Sequence, residues 1–192
     1  MSLLEVSRLV VRYGAYTAVD GVSFALDAGE IVAIIGPNGA GKTTCFNAIN
    51  GQLRPASGSV RLEGRDLCGL GPERLFRLGV GRTFQVTATV PSMTVRENVQ
   101  MALASHRGRA WSVREPLREL RRAEADALLA PVGMDKLADS PCGVLAYGDI
   151  KRVELAVALA NAPRLLLMDE PTAGMAPKER IGLMELTHDI AR

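Results

Sequence analysis

The sequence predicts an α/β fold with a small antiparallel β part and a helical insertion. Two unbroken apolar runs, residues 31–35 and 165–168, are typical of strands that are buried on both faces of a sheet. A helix-dominated middle part lies between them, from residue 87 to 160, and a helix follows the second run. This order indicates one α/β domain that carries a helical subdomain.

The composition is that of an average soluble domain. Apolar residues make up 47% and charged residues 23% of the 192 residues, and the formal net charge is +2. The three scattered cysteines argue against a disulfide framework and favour a reducing compartment. The longest stretch without charged residues, 83–95, is too short to span a bilayer, and the N-terminus lacks a secretory signal.

The elements before the insertion follow from apolar patterns and turn residues. Alternation of apolar and polar residues predicts the first strand, Gly51 ends a helix, and Pro72 begins another. The predicted strands are 3–13, 22–26, 31–35 and 59–63, and the predicted helices are 42–50 and a short one that ends before Gly79.

The second half of the chain is mainly helical. Thr94 and Glu97 fit a capping box, which predicts a helix that runs to about Ala104. The remaining predictions are a charged helical stretch at 113–130, an irregular segment at 141–148, a helix at 149–161, a strand at 165–168 and a helix at 177–191.

A glycine-rich loop after the first apolar run fits the pattern G-x-x-x-x-G-K-[ST] between a strand and a helix. Glycines let successive backbone N–H groups point inward and bind an anion at the helix N-terminus. Lys42 adds charge for the outer phosphates, and the Thr43 hydroxyl can ligate Mg²⁺. The alternative is an ordinary turn with a surface lysine. The sequence therefore predicts a P-loop NTPase core that binds phosphate through Gly36, Pro37, Asn38, Gly39, Ala40, Gly41, Lys42 and Thr43.

Two carboxylates follow the second apolar run. Asp169 and Glu170 come directly after residues 165–168, so they are expected at the edge of a sheet. Asp169 can hold Mg²⁺, directly or through water, and Glu170 can orient and deprotonate an attacking water. The alternative is a pair of solvated carboxylates at the end of a strand.

With these two motifs the sequence resembles the ATP-binding subunit of ABC transporters over essentially its whole length. The matching segments are GPNGAGKTT at 36–44, RTFQ at 82–85, LAYGD at 145–149 and LLLMDEPT at 165–172. The first of them adds Thr44 to the candidate nucleotide-binding residues. The segments PSMTVRENV at 91–99 and DEPTAGMAP at 169–177 resemble the subgroup that serves branched-chain amino acid importers.

The resemblance implies ATP and Mg²⁺ as cofactors and ATP hydrolysis as the reaction. Lys42, Gln85 and Glu170 would be the catalytic residues, with Gln85 in contact with Mg²⁺ and water. Tyr13 would stack on adenine, although a core or surface role for Tyr13 remains open and Tyr16 is a nearby competitor. The signature loop, which consists of Leu145, Ala146, Tyr147 and Gly148, would face the P-loop of a second ATPase subunit.

The resemblance also implies partners outside this chain. They are membrane-spanning permease subunits, a second ABC ATPase subunit (related or identical, with a heterodimer favoured) and, indirectly, a substrate-binding protein. No nucleic acid partner is expected, and the subunit would lie peripherally on the cytoplasmic face of the inner membrane. The nucleotide-binding core would comprise 1–86 and 161–192, and the helical subdomain 87–160.

Several positions depart from the family pattern. Ala146 replaces a serine, and Asp149 replaces a glutamine. Because triphosphate would repel a carboxylate, we expect Asp149 to turn away from the nucleotide and cap its helix. Residues 173–176 lack the usual aspartate, so contact across the dimer would rest on backbone and Met175. The family pattern places a strand and a switch histidine after residues 177–191, but the sequence stops at Arg192, before that strand. His188 is a poor substitute for that histidine. We therefore expect slow hydrolysis.

Two other functions remain open at this point. One is a soluble ABC ATPase that works outside transport, and the other is a nucleotide-binding fragment with little hydrolysis. Arginines between residues 107 and 122 form a basic stretch, but interleaved acidic residues favour a solvated helix face over a nucleic acid interface.

Overall fold

The computed structural model describes residues 2–83, 89–106 and 121–191. The chain forms two compact units, one of residues 1–80 with 191–192 and one of residues 81–190. The P-loop (residues 36–43) belongs to the first unit. The acidic pair, Asp169 and Glu170, and the signature loop belong to the second. The predicted division between a nucleotide-binding core and a helical subdomain at 87–160 stays a prediction.

The first unit is built on an antiparallel sheet, which confirms the predicted small antiparallel β part. Apolar side chains on the central strand are buried on one face, because its alternating pattern places them there. Val6 on that strand lies opposite Phe24 and Val60 on its two neighbours. The strands are β1 Leu4–Tyr13, β2 Tyr16–Leu26, β3 Ser57–Leu62 and β4 Arg65–Asp66, in the order β2-β1-β3-β4. The helices are α1 Lys42–Ile49 and α2 Pro72–Arg77.

The prediction of a buried strand at residues 31–35 is wrong. This segment has no strand assignment, and Ile31, Val32 and Ile35 are 47%, 45% and 90% exposed. A strand needs a neighbour to receive its backbone hydrogen bonds. None of the strands in the described part of the chain pairs with residues 31–35. The apolar run alone therefore gives the wrong local structure.

In its described residues, the second unit combines a two-stranded sheet with four helices. β5 Val80–Thr83 pairs with β6 Leu165–Met168, and the helices are α3 Val95–His106, α4 Arg122–Leu129, α5 Tyr147–Leu159 and α6 Pro177–Ala191. Short 3-10 turns lie at Asp135–Leu137 and Cys142–Val144. The core between the helices contains fully buried side chains, among them Val95, Val99, Leu129, Val153 and Leu155.

Local signals placed most of these helices correctly. The predicted capping box at α3 is confirmed, because Thr94 N–H donates to Glu97 Oε2 at 2.9 Å and Glu97 N–H donates to Thr94 Oγ1 at 3.1 Å. The bounds of α6 are those predicted. Residues 113–120 of the predicted charged helical stretch, and most of the basic stretch, lie outside the described residues.

None of the helices in residues 2–83, 89–106 and 121–191 is both long and apolar enough to span a membrane.

Candidate nucleotide-binding site

The P-loop backbone has the conformation that its glycines allow. Gly39 and Gly41 both have a φ of 84°, in the left-handed region that favours glycine. Gly41 is the N-cap of α1, and its carbonyl accepts from Cys45 N–H at 2.8 Å. A Cβ on Gly41 would lie 2.2 Å from the carbonyl oxygen of Ala18 on β2, so no other residue fits. The loop is thus packed tightly against β2 at its base.

Lys42 lies over the loop that precedes it. Its Nζ donates to the carbonyl oxygens of Gly36 and Pro37 at 2.9 and 3.0 Å. Residues 36–40 are exposed, so an anion in solution has access to the backbone of the loop. The ammonium group and the positive end of α1 therefore lie in one accessible region, which favours a phosphate group.

The two threonines after Lys42 are in the first turn of α1. Thr43 is exposed and Thr44 is partly buried. The hydroxyl of Thr43 is a hard oxygen donor of the type that Mg²⁺ prefers. The position of this hydroxyl at the loop fits the predicted role in holding a metal ion.

The two tyrosines at the β1–β2 turn face each other across the hairpin. Tyr13 pairs with Tyr16 in the strand register, and their exposed fractions are 50% and 64%. A core role for Tyr13 is therefore wrong. Both rings are accessible for stacking, because neither is buried in the unit that contains them.

The acidic pair has one buried and one exposed member. Asp169, directly after β6, is 5% exposed, and its Oδ2 lies 3.4 Å from Arg82 Nη2 on β5. Glu170 is exposed and has a φ of 49°, which is strained for a residue other than glycine. The end of β6 therefore keeps the Asp169 carboxylate buried and leaves the Glu170 side chain exposed. These positions are compatible with the predicted roles of a metal ligand for Asp169 and a general base for Glu170.

Arg82 is a site residue that sequence reasoning missed. It is part of the RTFQ segment, but no local pattern indicates that it pairs with Asp169, which is 87 residues away. Gln85, the catalytic residue predicted three positions later, lies outside the described residues.

The signature loop leads into α5 without a side-chain cap. Ala146 is the N-cap, and α5 begins at Tyr147, two residues earlier than predicted. The expectation that Asp149 caps the helix is therefore wrong, because Asp149 already lies inside the first turn. The positive end of the helix dipole still stabilises the Asp149 carboxylate in the first turn.

Residues 174–179 pack against the start of α5. A Cβ on Gly174 would lie 3.3 Å from Cε1 of Tyr147. A Cβ on Gly148 would lie 3.0 Å from the carboxylate of Glu179, whose Oε2 also accepts from Ala176 N–H at 3.1 Å. Sequence reasoning did not single out Glu179, which has no motif of its own.

The predicted role of Met175 in a contact across the dimer is wrong. Its side chain is 3% exposed and belongs to the core of the second unit. The reason is that a thioether side chain next to a helical core is more stable when it is buried there than in water. His188, in contrast, is exposed on α6, where the sequence predicted an exposed helix histidine.

Sequence comparison gives the family. The sequence profile of the family described as ABC transporter matches residues 19–173. The high-affinity branched-chain amino acid transport ATP-binding protein BraF of Pseudomonas aeruginosa is 39% identical, over 96% of this chain and 75% of BraF. The corresponding protein LivG of Escherichia coli K12 is 39% identical, over 98% of this chain and 76% of LivG.

Solved structures agree with this result. The ADP conformation of MJ1267, an ATP-binding cassette of an ABC transporter, matches with a TM-score of 0.87 and 31% identity, and covers 100% of this chain and 77% of that one. A nucleotide-free ATP-binding cassette from an ABC transporter matches with a TM-score of 0.86 and 32% identity, over 100% of this chain and 78% of that one. Motifs, fold and relatives thus agree that this chain belongs to the ABC transporter family as an ATP-binding, ATP-hydrolysing cassette.

Proposed function

We propose that this chain is the energy-coupling ATPase subunit of a membrane importer for branched-chain or related amino acids. The observation that carries the proposal is the accessible P-loop, with Lys42 Nζ over the carbonyls of Gly36 and Pro37 at the start of α1. The substrate class comes from relatives such as BraF and LivG, which are named as transport proteins for branched-chain amino acids. Those names also favour transport over a soluble, non-transport ATPase.

The residues divide the work of ATP hydrolysis among them. The backbone N–H groups of residues 36–43 and the Lys42 ammonium bind the phosphates, and Tyr13 stacks on adenine. Thr43 and Asp169 would hold Mg²⁺ through hard oxygen donors, and the ion would supply positive charge that neutralises the phosphates. Glu170 orients the attacking water and accepts its proton.

The signature loop acts on the nucleotide of a second ATPase subunit. Tyr147 and Gly148 lie at the N-terminal end of α5, whose dipole favours a negatively charged group. We expect a related but distinct ATPase as the partner. Polytopic permease subunits would hold both ATPases at the cytoplasmic face of the membrane.

The test is MgATP binding by calorimetry and phosphate release with the purified chain. Lys42→Ala is expected to abolish measurable MgATP binding. Glu170→Gln keeps MgATP binding and lowers turnover by about 10²-fold or more, because it removes the base. The matched control is Lys136→Ala, a surface lysine outside the site, which keeps both properties. Unchanged binding in Lys42→Ala would refute the proposal.

A transport assay tests the second half of the proposal. The subunit is co-expressed with candidate polytopic permease subunits, and the complex is reconstituted in vesicles with radiolabelled leucine. ATP-dependent leucine uptake that disappears in Glu170→Gln supports the importer. ATP hydrolysis without association with any membrane subunit would favour the soluble alternative.

A further inference from the structure

An ion pair is buried in α5 below the signature loop. Lys151 Nζ donates to Glu154 Oε2 at 2.9 Å, and the two side chains are 6% and 4% exposed. Burying two charges costs hydration energy that their attraction does not always repay, so such a pair adds little to stability compared with apolar residues. A buried pair of this kind therefore suggests a role in fixing a conformation.

The lysine of this pair also contacts the signature loop. Its Nζ lies 5.4 Å from the ring centroid of Tyr147, a distance at which a cation is attracted to an aromatic face. Tyr147 is the first residue of α5 and lies one turn before Lys151, so both are on one side of the helix. The ring itself is 43% exposed, so part of it remains accessible.

Gly174 limits the ring of Tyr147 from another direction. A Cβ at position 174 would lie 3.3 Å from Cε1 and 3.6 Å from Cζ of the ring, and its φ of 77° favours glycine. Gly174 follows the acidic pair by four residues. The orientation of Tyr147 thus depends on both α5 and the turn after Glu170.

The ion pair also lies beside the ends of β5 and β6. Lys151 and Glu154 line a cavity of about 10 Å³ together with Thr83, Met168, Pro171 and Leu183. Thr83 and Met168 are the last residues of β5 and β6, and Pro171 follows Glu170. Thr83 Oγ1 is buried and has no hydrogen-bond partner among the described residues. The volume suits one water molecule between these polar groups.

We propose that Lys151, held by Glu154, is a positioning residue for ATP hydrolysis that fixes the Tyr147 ring against the turn at Gly174. The inference rests on the proposed function, because it assumes that the signature loop acts on ATP. Lys151 does not touch the nucleotide. It sets the orientation of the signature loop relative to the strand ends that carry Asp169 and Glu170.

The experiment separates positioning from stability. The double variant Lys151→Met/Glu154→Leu removes both charges and leaves neither buried alone. We expect it to keep its melting temperature and its MgATP affinity while kcat falls about tenfold. The single variant Lys151→Arg keeps a cation over the ring, so we expect it to retain most of the wild-type kcat. Lys136→Met is the matched surface control.

A second arm tests whether Tyr147 is the target of the effect. Tyr147→Leu is expected to lower kcat as far as the double variant does, and to cause no further loss when combined with it. Tyr147→Phe keeps the aromatic face and should lose less than Tyr147→Leu. Hydrogen exchange of residues 145–149 should become faster in the double variant and in Tyr147→Leu.

Three results would overturn the positioning role. They are wild-type kcat in the double variant, additive losses when it is combined with Tyr147→Leu, and equal kcat in the Phe and Leu variants at position 147. The Tyr147 variants replace a half-exposed residue, so the comparison of Phe with Leu tests the need for an aromatic face beside Lys151 even where the double variant does not fold. If the wild-type chain neither binds nor hydrolyses ATP, the proposed function fails instead.

Discussion

Arg82 and Asp169 form a buried ion pair across the two-stranded sheet of the second unit. Arg82 Nη2 lies 3.4 Å from Asp169 Oδ2, and the side chains are 8% and 5% exposed. The arginine comes from the segment that precedes Gln85, and the aspartate is the predicted metal ligand. The contact with Arg82 gives the buried Asp169 carboxylate a defined orientation, as outer-shell partners do for ligating carboxylates in metal sites.

Replacing Arg82 by glutamine should destabilise the second unit. The change removes the guanidinium that pairs with the buried Asp169 carboxylate, and breaking a buried ion pair costs about 3 kcal/mol or more. Urea unfolding measures the change in the free energy of unfolding. The control is Arg77→Gln, which removes a surface pair with Glu73 whose side chains are 70% and 81% exposed, and which should cost less than about 1 kcal/mol. Equal effects of the two substitutions would contradict this prediction.

Gly41→Ala should disrupt the P-loop. The new Cβ would lie 2.2 Å from the Ala18 carbonyl oxygen, and the backbone φ of 84° disfavours alanine. We expect loss of MgATP binding and a lower melting temperature. Gly39→Ala has the same φ but open space around its Cβ, so it should carry only the backbone strain, about 1 kcal/mol. Gly71→Ala, with a φ of −74° and open space, is the control that should resemble wild type.

Cys45 should react slowly with thiol reagents at neutral pH. Burial raises the pKa of the Cys45 thiol, so less of the reactive thiolate is present at pH 7 than in free cysteine. Labelling by iodoacetamide, in a variant with Cys68→Ser and Cys142→Ser, should become faster as pH rises toward the raised pKa. The urea-unfolded chain should react like free cysteine. Fast labelling of the folded chain at pH 7 would show that the thiol is neither buried nor raised in pKa.

Arg96→Leu should loosen the helical part of the second unit. Arg96 Nε donates to Asp126 Oδ1 on α4 at 2.7 Å, and its Nη1 donates to Asp139. Burial acts to lower the pKa of Arg96, but its hydrogen bonds with the two aspartates outweigh burial and the pKa is raised. Loss of both hydrogen bonds should cost about 2–3 kcal/mol in urea unfolding. Asp139→Asn, at a side chain that is 76% exposed, should lower the free energy of unfolding less than Arg96→Leu does. The reverse order would contradict the role of Arg96 as a link between Asp126 and Asp139.

Local signals predicted a large part of the fold. The capping box at Thr94, the glycines of the P-loop and Pro177 at the start of α6 act through neighbouring residues in the chain, so the sequence alone indicates them. The apolar run at residues 31–35 shows the limit of this reasoning. Hydrophobicity indicates that a segment can be buried in a sheet, but pairing with another strand decides whether it is one.

The sequence by itself determined the phosphate-binding chemistry, because the P-loop is one continuous segment whose backbone geometry follows from its glycines. Only the tertiary structure decided which side chains support that chemistry. Asp169 meets Arg82 across 87 residues of sequence. Lys151, with no motif to distinguish it from a surface lysine, is buried against Glu154 and Tyr147. Burial and long-range pairing depend on how distant segments pack, and no local pattern contains that information.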